Sequence, residues 1–154
     1  MPVKKLKEFL DNNKIQYEII THSPSYTAQE TAASAHISGK NMVKTVMLKI
    51  DKKMSMAVLS APAKVDFELL RKASGANTVD LSSEDEFKNK FPGCDIGAMP
   101  PFGSLYDMDV YMDAKLSDNE EIVFNAGTHT ELMRVTLEDY RRLVKPKIAH
   151  ISST

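Results

Sequence analysis

The sequence MVKTVMLKI, residues 42–50, predicts a β-strand and, within it, one residue in an unusual place. The segment is rich in β-branched and apolar residues, which strands favour. Side chains alternate between the two faces of a strand, so every second residue shares a face. One face therefore carries Met42, Lys44, Val46, Leu48 and Ile50. The ammonium group of Lys44 on this apolar face costs several kcal/mol unless it is paired or opens into a polar pocket.

The strand pattern leaves two interpretations of Lys44 open. In the first, Lys44 lies near a strand end, buries its aliphatic stem and extends its charged head to water. In the second, Lys44 faces a polar pocket and works on a ligand there. The rest of the sequence has to separate these two interpretations.

A hairpin is predicted next to this strand. The polar turn Asp51-Lys52-Lys53 separates the strand over 43–50 from a second strand over 54–60. Nearer the N-terminus, apolar residues at helical spacing predict a helix over 3–13. Alternating residues then predict a strand over 15–19.

The remaining helices and strands complete an α+β pattern. Helix starts are indicated by N-cap residues at Ser25 or Thr27 (the latter with Glu30), Asp66, Ser83 (with Glu86) and Thr136 (with Asp139). Further strands are predicted over 78–81, 108–113, 121–126 and 130–135, with an edge strand over 147–151. Helices and strands do not alternate regularly, which is typical of an α+β fold. We expect a mixed, partly closed, mostly antiparallel sheet or barrel surrounded by helices, in a single domain over residues 1–154.

Composition places the chain among globular proteins of ordinary size. It has 154 residues, of which 42% are hydrophobic and 27% charged. No apolar run approaches the roughly 20 residues of a membrane span, and the first residues lack the apolar core of a signal peptide. Cys94 is the one cysteine, so an internal disulfide is impossible and a reducing cytoplasm is the expected location.

Charge is unevenly distributed along the chain. Residues 1–77 carry 12 Lys and Arg against 7 Asp and Glu, whereas residues 78–154 carry 8 against 14. The net charge of −1 argues against a protein that grips a long nucleic-acid duplex. A local basic patch in the first half could still meet a phosphate or two. The alternative is that ordinary solvated faces segregate by sign.

No metal or cofactor site is predicted. The sequence contains His22, His36, His129 and His150. None of them forms a zinc-type spacing with another histidine or with Cys94, and glycine signatures for nucleotide phosphates are missing. Cys94 could be a nucleophile, but no adjacent base is indicated, and a reduced loop cysteine is the alternative.

A glycine- and proline-rich loop over 91–104 is a second candidate feature. It contains three prolines and three glycines. Apolar residues inside it (Ile96, Met99 and Phe102) argue against disorder. A rigid loop could offer backbone N–H groups to a ligand, since glycines allow close approach and prolines fix the backbone. A stiff connector without such a role is the alternative.

Three motifs occur together in a characteristic order: Ser25-Tyr26-Thr27, Lys44-Thr45-Val46 and Gly97-x-x-x-Pro101-x-Gly103. This combination resembles the YbaK-like family of aminoacyl-tRNA deacylases, which is related to the editing domain inserted in bacterial prolyl-tRNA synthetases. The resemblance covers nearly the whole chain. It implies the fold of that editing domain and favours a functional Lys44.

The resemblance also implies roles for individual residues. The family's essential strand lysine corresponds to Lys44, and its Gly-x-x-x-Pro loop to Gly97 and Pro101. Residues 126–131 look like the turn that lines the same pocket, with His129 as a pocket residue. The implied substrate-binding set is Tyr26, Thr27, Gly97, Met99, Pro101, Gly103 and His129, with Met99 limiting the pocket.

The implied chemistry is hydrolysis of the ester that joins a wrong amino acid to the terminal adenosine of tRNA. Lys44 would position the substrate or its phosphate, and the ribose hydroxyl of the tRNA would help to activate water without a cofactor. The implied partner is the acceptor end of aminoacyl-tRNA, with an aminoacyl-tRNA synthetase as a second candidate partner, and no membrane is implied. Two alternatives stay open: a non-hydrolytic module that binds aminoacyl-tRNA or a synthetase, and a hydrolase for another small acyl ester.

Overall fold

The computed structural model describes residues 4–21, 40–91, 94–95 and 97–153. Within these residues the chain forms four α-helices and ten strands. The helices are α1 (Lys4–Asn12), α2 (Phe67–Ser74), α3 (Glu84–Phe87) and α4 (Leu137–Val144). The strands are β1 (Glu18–Thr21), β2 (Val43–Ile50), β3 (Lys53–Ser60), β4 (Lys64–Val65), β5 (Val79–Leu81), β6 (Asp109–Asp113), β7 (Glu121–Asn125), β8 (Glu131–Thr136), β9 (Lys147–Ala149) and β10 (Ser152–Ser153).

The predicted hairpin forms the centre of the larger sheet. β2 and β3 pair antiparallel along their whole length, from Val43 opposite Ser60 to Ile50 opposite Lys53. The two turn residues, Asp51 and Lys52, have positive φ angles of 49° and 69°. This backbone matches the tight turns that preserve the twist of a hairpin. The hairpin prediction is confirmed.

Two larger sheets and one small sheet make up the β-structure. The five-stranded sheet has the order β5-β2-β3-β6-β9, in which β6 runs parallel to both β3 and β9. The three-stranded sheet, β1-β8-β7, is antiparallel, and β4 pairs with β10. A single parallel bridge between Met42 and Val123 joins the two larger sheets. The α+β prediction is confirmed, although the sheets do not close into a barrel.

β2 lies between two apolar cores. Val43 and Met47 belong to the main core, with residues of α1, β6, β7, β8 and α4. Leu48 and Ile50 belong to a second core, which includes Leu70 of α2. The predicted apolar face is therefore confirmed. The opposite face, which the sequence shows as mixed, is also buried at Val43 and Met47.

The N-caps of α2 and α4 are formed as predicted. The Asp66 side chain accepts a hydrogen bond from Leu69 N–H, and Thr136 accepts one from Asp139 N–H. Ser83 forms its capping box, but α3 ends at Phe87 rather than near residue 90. The predicted helix start at Ser25 or Thr27 lies outside the described residues.

The first strand starts later than predicted. Residues 15–17 are not part of a strand, and β1 begins at Glu18. Lys14 adopts a left-handed backbone with φ of 56°, which ends α1 and turns the chain back. Ile15 N–H then donates to the carbonyl of Leu10, and the Ile15 side chain is buried against the helix. The alternation over 15–19 was therefore a misleading signal, because Ile15 completes the end of a helix.

No helix in the described part of the chain is long and apolar enough to cross a membrane.

Gly103 is required by packing. A Cβ at this position would lie 2.5 Å from the carbonyl oxygen of Met108 and 2.6 Å from Cγ2 of Val110. We predict that Gly103→Ala lowers the free energy of unfolding by about 1–3 kcal/mol, because the backbone has to move. Urea denaturation measures this change. The exposed neighbour variant Ser104→Ala should stay within about 0.5 kcal/mol of the native protein, and equal losses in both variants would contradict the steric explanation.

Candidate functional site

The loop and the turn before β8 are joined by backbone hydrogen bonds. Asp95 N–H donates to the carbonyl of Gly127 at 2.7 Å, and Gly127 N–H donates to the carbonyl of Ala98 at 2.9 Å. The Asp95 carboxylate accepts a bond from His129 N–H at 3.3 Å. Gly127 has a φ of 102°, a conformation that glycine adopts without strain. These bonds fix the loop against residues 126–130.

Gly97, Met99 and His129 lie together in this arrangement. A Cβ built on Gly97 would be 3.5 Å from Cε1 of His129, so the two residues are in close contact. The N–H of Gly97 donates to Sδ of Met99 at 3.1 Å. Three of the residues implied by the resemblance are thus grouped by the fold. Whether they bind substrate stays a prediction.

Thr45 connects β2 to the same loop. Its Oγ1 donates to the carbonyl of Met99 at 3.2 Å. A groove of about 270 Å³ follows this contact and is lined by Thr45, Val46, Met47, Leu81, Ser82, Glu84, Phe87, Gly97 and Met99. Sequence reasoning did not select Thr45, although it stands inside the Lys-Thr-Val motif.

Pro101 and Gly103 lie on the buried side of the loop. The carbonyl of Pro101 accepts a 2.6 Å hydrogen bond from Tyr140 Oη, and Tyr140 is fully buried. Burial raises the pKa of Tyr140 well above its ordinary value, so its hydroxyl stays a donor. Both loop residues therefore have clear packing roles. A direct part in substrate binding stays a prediction for each.

Lys44 leaves β2 on the face opposite to Thr45. It is half-buried, lies opposite Leu59, and has no ion-pair or hydrogen-bond acceptor among the described residues. Burial lowers the pKa of Lys44, and the positive charge of Lys64 lowers it further. The described contacts do not bring the ammonium group against the loop. They leave it as an uncompensated cation on the other side of the strand.

Asn125 is a second polar residue on the Lys44 side. Met42 and Val123 belong to one small core and form a parallel β-bridge. Lys44 lies two residues after Met42, and Asn125 lies two residues after Val123. Alternation therefore directs both side chains to the face of that core. Oδ1 of Asn125 is buried and has no hydrogen-bond partner among the described residues. The sequence could have indicated the position of Asn125, because alternation places it on the same face of the strand as Val123.

Tyr26 and Thr27 lie outside the described residues. The described chain stops at Thr21, which pairs with Glu131, and resumes at Lys40, whose carbonyl accepts a 2.7 Å bond from the Asn119 side chain.

Cys94 has the character of a protonated thiol. Burial raises its pKa, and its Sγ lies 3.8 Å from Tyr106 Oη. This environment disfavours the thiolate that a cysteine nucleophile requires. In the described part of the chain, no three His, Cys, Asp or Glu side chains come together as a metal site.

The fold and the site define a small α+β protein with a polar face beside the junction of two sheets. The family model for the aminoacyl-tRNA editing domain matches residues 22–143. That range covers more than half of the chain, so the protein belongs to the aminoacyl-tRNA editing domain family.

Individual relatives and a solved structure agree with this family. The prolyl-tRNA editing protein ProX of Acetoanaerobium sticklandii is 27% identical over 142 residues, which cover 88% of this chain and 86% of ProX. The multifunctional Ser/Thr-tRNA deacylase ProXp-y of Escherichia coli K12 is 29% identical over 100 residues, or 64% of this chain and 59% of the relative. A crystal structure of a candidate trans-editing enzyme for prolyl-tRNA synthetase has the same fold, with a TM-score of 0.81 at 19% identity. The match covers 98% of this chain and 96% of the chain in that crystal structure.

The charge on Lys64 provides a test of the Lys44 environment. We predict that Lys64→Gln raises the pKa of Lys44 towards its ordinary value, because one of the two causes that lower it is removed. Since the pKa of Lys44 is lower in the folded state than in the unfolded state, its charge costs stability at low pH. That cost disappears as the pH rises through the folded-state pKa. In Lys64→Gln this gain of stability should be smaller and should start at higher pH.

An NMR titration of the lysine side-chain methylene signals measures the Lys44 midpoint directly. Lys52→Gln is the matched control, because it removes a lysine from the turn at the other end of β2 and β3. If the titration midpoint of Lys44 does not rise in Lys64→Gln, or rises equally in the control, the charge of Lys64 does not lower the pKa of Lys44.

Proposed function

We propose that the protein is a trans-editing aminoacyl-tRNA deacylase, which hydrolyses the ester between a wrong amino acid and the terminal adenosine of tRNA. Membership of the editing-domain family supports this activity, as do relatives named as a prolyl-tRNA editing protein and a Ser/Thr-tRNA deacylase. One structural observation carries the proposal. Lys44 presents a half-buried ammonium group without an acceptor among the described residues, and it lies on the same face as the unpartnered carbonyl of Asn125.

An aminoacyl-adenosine ester complements this pair of groups. The ester has a carbonyl oxygen, a neighbouring phosphate and a cationic α-amino group. Lys44 donates only, so it suits the phosphate or the carbonyl oxygen, whereas Oδ1 of Asn125 accepts and suits the amino group. Each of the two unsatisfied protein groups would gain a partner when the substrate binds.

The loop can supply a further donor in this proposal. Gly97 N–H is directed at a thioether sulfur, which is a weak acceptor. Transfer of that N–H to a stronger acceptor, such as the developing oxyanion of the ester, therefore costs little. Backbone donors held in a fixed position are effective at stabilising such an oxyanion. His129, which is in contact with Gly97, would line the substrate pocket beside this N–H group.

The proposed reaction uses a substrate hydroxyl to activate water. Water adds to the ester carbonyl carbon while the free ribose hydroxyl beside the ester accepts a proton from the water and passes its own proton to the ester oxygen. The bond between the carbonyl carbon and that ribose oxygen then breaks, and the oxygen leaves as a hydroxyl. The products are the free amino acid and uncharged tRNA. Lys44 orients the substrate in this scheme and does not attack it.

The remaining predicted residues shape the amino-acid pocket in this proposal. Tyr26 and Thr27 would line it from the segment that follows β1, and Met99 would limit its size. Pro101 and Gly103 would act through the shape of the loop.

The proposal also includes the setting of the reaction. The acceptor end of aminoacyl-tRNA is the partner that binds, and a synthetase is a possible second partner. Residues 1–154 form one editing domain, and the reaction takes place in the cytoplasm, in agreement with a free Cys94.

Lys44→Ala tests the activity. We predict that kcat/KM for deacylation falls by at least roughly 100-fold, because a positioned charge at the reacting ester is lost. The assay measures the release of amino acid from a panel of mischarged tRNAs that includes alanyl-, cysteinyl- and seryl-tRNA(Pro). Lys49→Ala is the matched control, since Lys49 lies on the same strand but pairs with Glu86 at the surface. Its activity should stay near that of the native protein.

Two further measurements separate the deacylase from the alternative functions. Turnover of a simple acyl ester that equals turnover of aminoacyl-tRNA would favour a general esterase. Stable binding of intact aminoacyl-tRNA over a long incubation, without loss of the ester, would favour a binding module. Either result would contradict the deacylase.

Asn125→Leu tests the second polar group. We predict that deacylation falls about tenfold in kcat/KM, because the acceptor for the substrate amino group is lost. The free energy of unfolding should stay equal or rise, because the variant removes a buried oxygen that has no hydrogen-bond partner in the part of the chain that the structure describes. Kinetics and urea denaturation on the same preparation measure both effects. A variant that loses stability and activity together would indicate that Asn125 acts only in the fold.

A further inference from the structure

The small sheet of β4 and β10 packs on the face of the five-stranded sheet that carries Lys44. Leu59 lies directly opposite Lys44 in the β2–β3 pair, and side chains that are opposite each other share a face. Leu59 belongs to the second core, where Val65 of β4 and Ile151, just before β10, also pack. β4 therefore lies on the same side of the sheet as the Lys44 side chain.

Lys64 is brought to this face by the turn that follows β3. Ala61 N–H donates to the carbonyl of Met42 at 2.8 Å, so the turn begins beside the residue that lies two positions before Lys44. Lys64 follows Ala61 by three residues and begins β4. The two ammonium groups are close enough for the charge of Lys64 to lower the pKa of Lys44. The fold thus gathers two like charges at one place.

A buried carboxylate on the same face does not neutralise them. Asp113 lies opposite Ala149 in the β6–β9 pair, and Ala149 packs against the second core, so Asp113 shares the Lys44 face. Its carboxylate accepts hydrogen bonds from Ser152 Oγ and from Ile151 N–H. Asp113 therefore attaches the C-terminal strand and is engaged there.

The acidic residue next to Lys64 in sequence is engaged as well. Asp66 uses its carboxylate to cap α2. In the part of the chain that the structure describes, neither Lys44 nor Lys64 has a carboxylate within ion-pair distance. Lys49 and Lys53, farther along the same hairpin, each have one. The pair of cations therefore lacks the compensation that these neighbouring lysines have.

An anion between the two ammonium groups would remove their repulsion. Lys44 is half-buried and Lys64 is exposed, so an anion can approach the pair from solvent. A phosphate group has several charged acceptor oxygens and can accept hydrogen bonds from two lysines at once. An ester carbonyl oxygen carries no full charge and offsets less of the repulsion. The presence of Lys64 therefore favours a phosphate as the group that Lys44 meets.

We propose that Lys44 and Lys64 together bind one phosphate group, and that in the editing reaction this is the phosphate that joins the terminal adenosine to the preceding nucleotide. This inference rests on the proposed deacylase function and adds Lys64 as a substrate-binding residue. It assigns the charge of Lys44 to the phosphate and leaves Oδ1 of Asn125 as the acceptor for the amino group. A single phosphate contact is compatible with a chain whose net charge is −1.

Binding of adenosine 5′-monophosphate tests the site without any need for catalysis. The nucleotide should bind more tightly than adenosine and should raise the NMR titration midpoint of Lys44, because the phosphate stabilises the charged form. Lys64→Gln should weaken nucleotide binding about twofold to fivefold, as expected for one exposed charge pair, and should leave adenosine binding unchanged. Lys64→Arg should bind the nucleotide as the native protein does. Lys52→Gln, in the turn at the other end of the hairpin, is the control for a general loss of positive charge.

Inorganic phosphate distinguishes a nucleotide site from a site for free anions. The nucleotide should bind more tightly than inorganic phosphate, because its adenosine adds contacts. Equal affinities would overturn the assignment to tRNA. Equal nucleotide affinities of Lys64→Gln and the native protein would overturn the phosphate site itself.

Two ester substrates separate this inference from the proposed function. Aminoacyl-adenosine and its 5′-phosphorylated form carry the same ester, so the ratio of their kcat/KM values measures recognition of the phosphate. At a pH below the Lys44 midpoint, the native protein should favour the phosphorylated ester, and Lys64→Gln should reduce that ratio about twofold to fivefold. An unchanged ratio, with both values lowered, would show a purely structural role for Lys64 and contradict the inference. Failure to hydrolyse either ester would overturn the proposed function, whereas nucleotide binding would still test the phosphate site.

Discussion

The arrangement of the site depends on the one β-bridge that joins the two larger sheets, between Met42 and Val123. The bridge is supported on both sides, since Val123 N–H donates to the carbonyl of Asn41 and Ala61 N–H donates to that of Met42. Because the two strands are parallel there, the next residues on the shared face are Lys44 and Asn125. On the other face, the loop is bonded to Thr45 and Gly127. The bridge thus places the two polar groups on one face, and the bonds to Thr45 and Gly127 hold the loop on the other.

The polar groups at this junction are kept at a cost to stability. The half-buried ammonium group of Lys44 lies near Lys64, and the buried amide oxygen of Asn125 has no partner among the described residues. Both disfavour the folded state. The buried carboxylate of Asp113, by contrast, is satisfied by hydrogen bonds. Nε of Arg134 is also buried without a hydrogen bond among the described residues, although the guanidinium forms ion pairs with Glu18 and Glu121. Groups that are destabilised until a ligand binds are typical of functional sites, because binding then satisfies them.

The sequence predicted those elements whose signals are local. The hairpin turn, the N-caps at Asp66 and Thr136 and the alternation along β2 each depend on a few adjacent residues, and each is confirmed. The predicted start of the first strand was wrong because Ile15 packs back on α1, a contact that periodicity does not reveal. Asn125 was missed because its significance depends on the bridge between two sheets.

The loop is held almost entirely through its main chain. The carbonyls of Ala98, Met99 and Pro101 accept the bonds that attach it to Gly127, Thr45 and Tyr140. Because these acceptors are present whatever the side chain, substitutions in the loop can alter the lining of the opening and leave its anchors intact. The fold therefore allows divergence among relatives: selectivity can change by single substitutions over evolutionary time while the architecture is inherited unchanged.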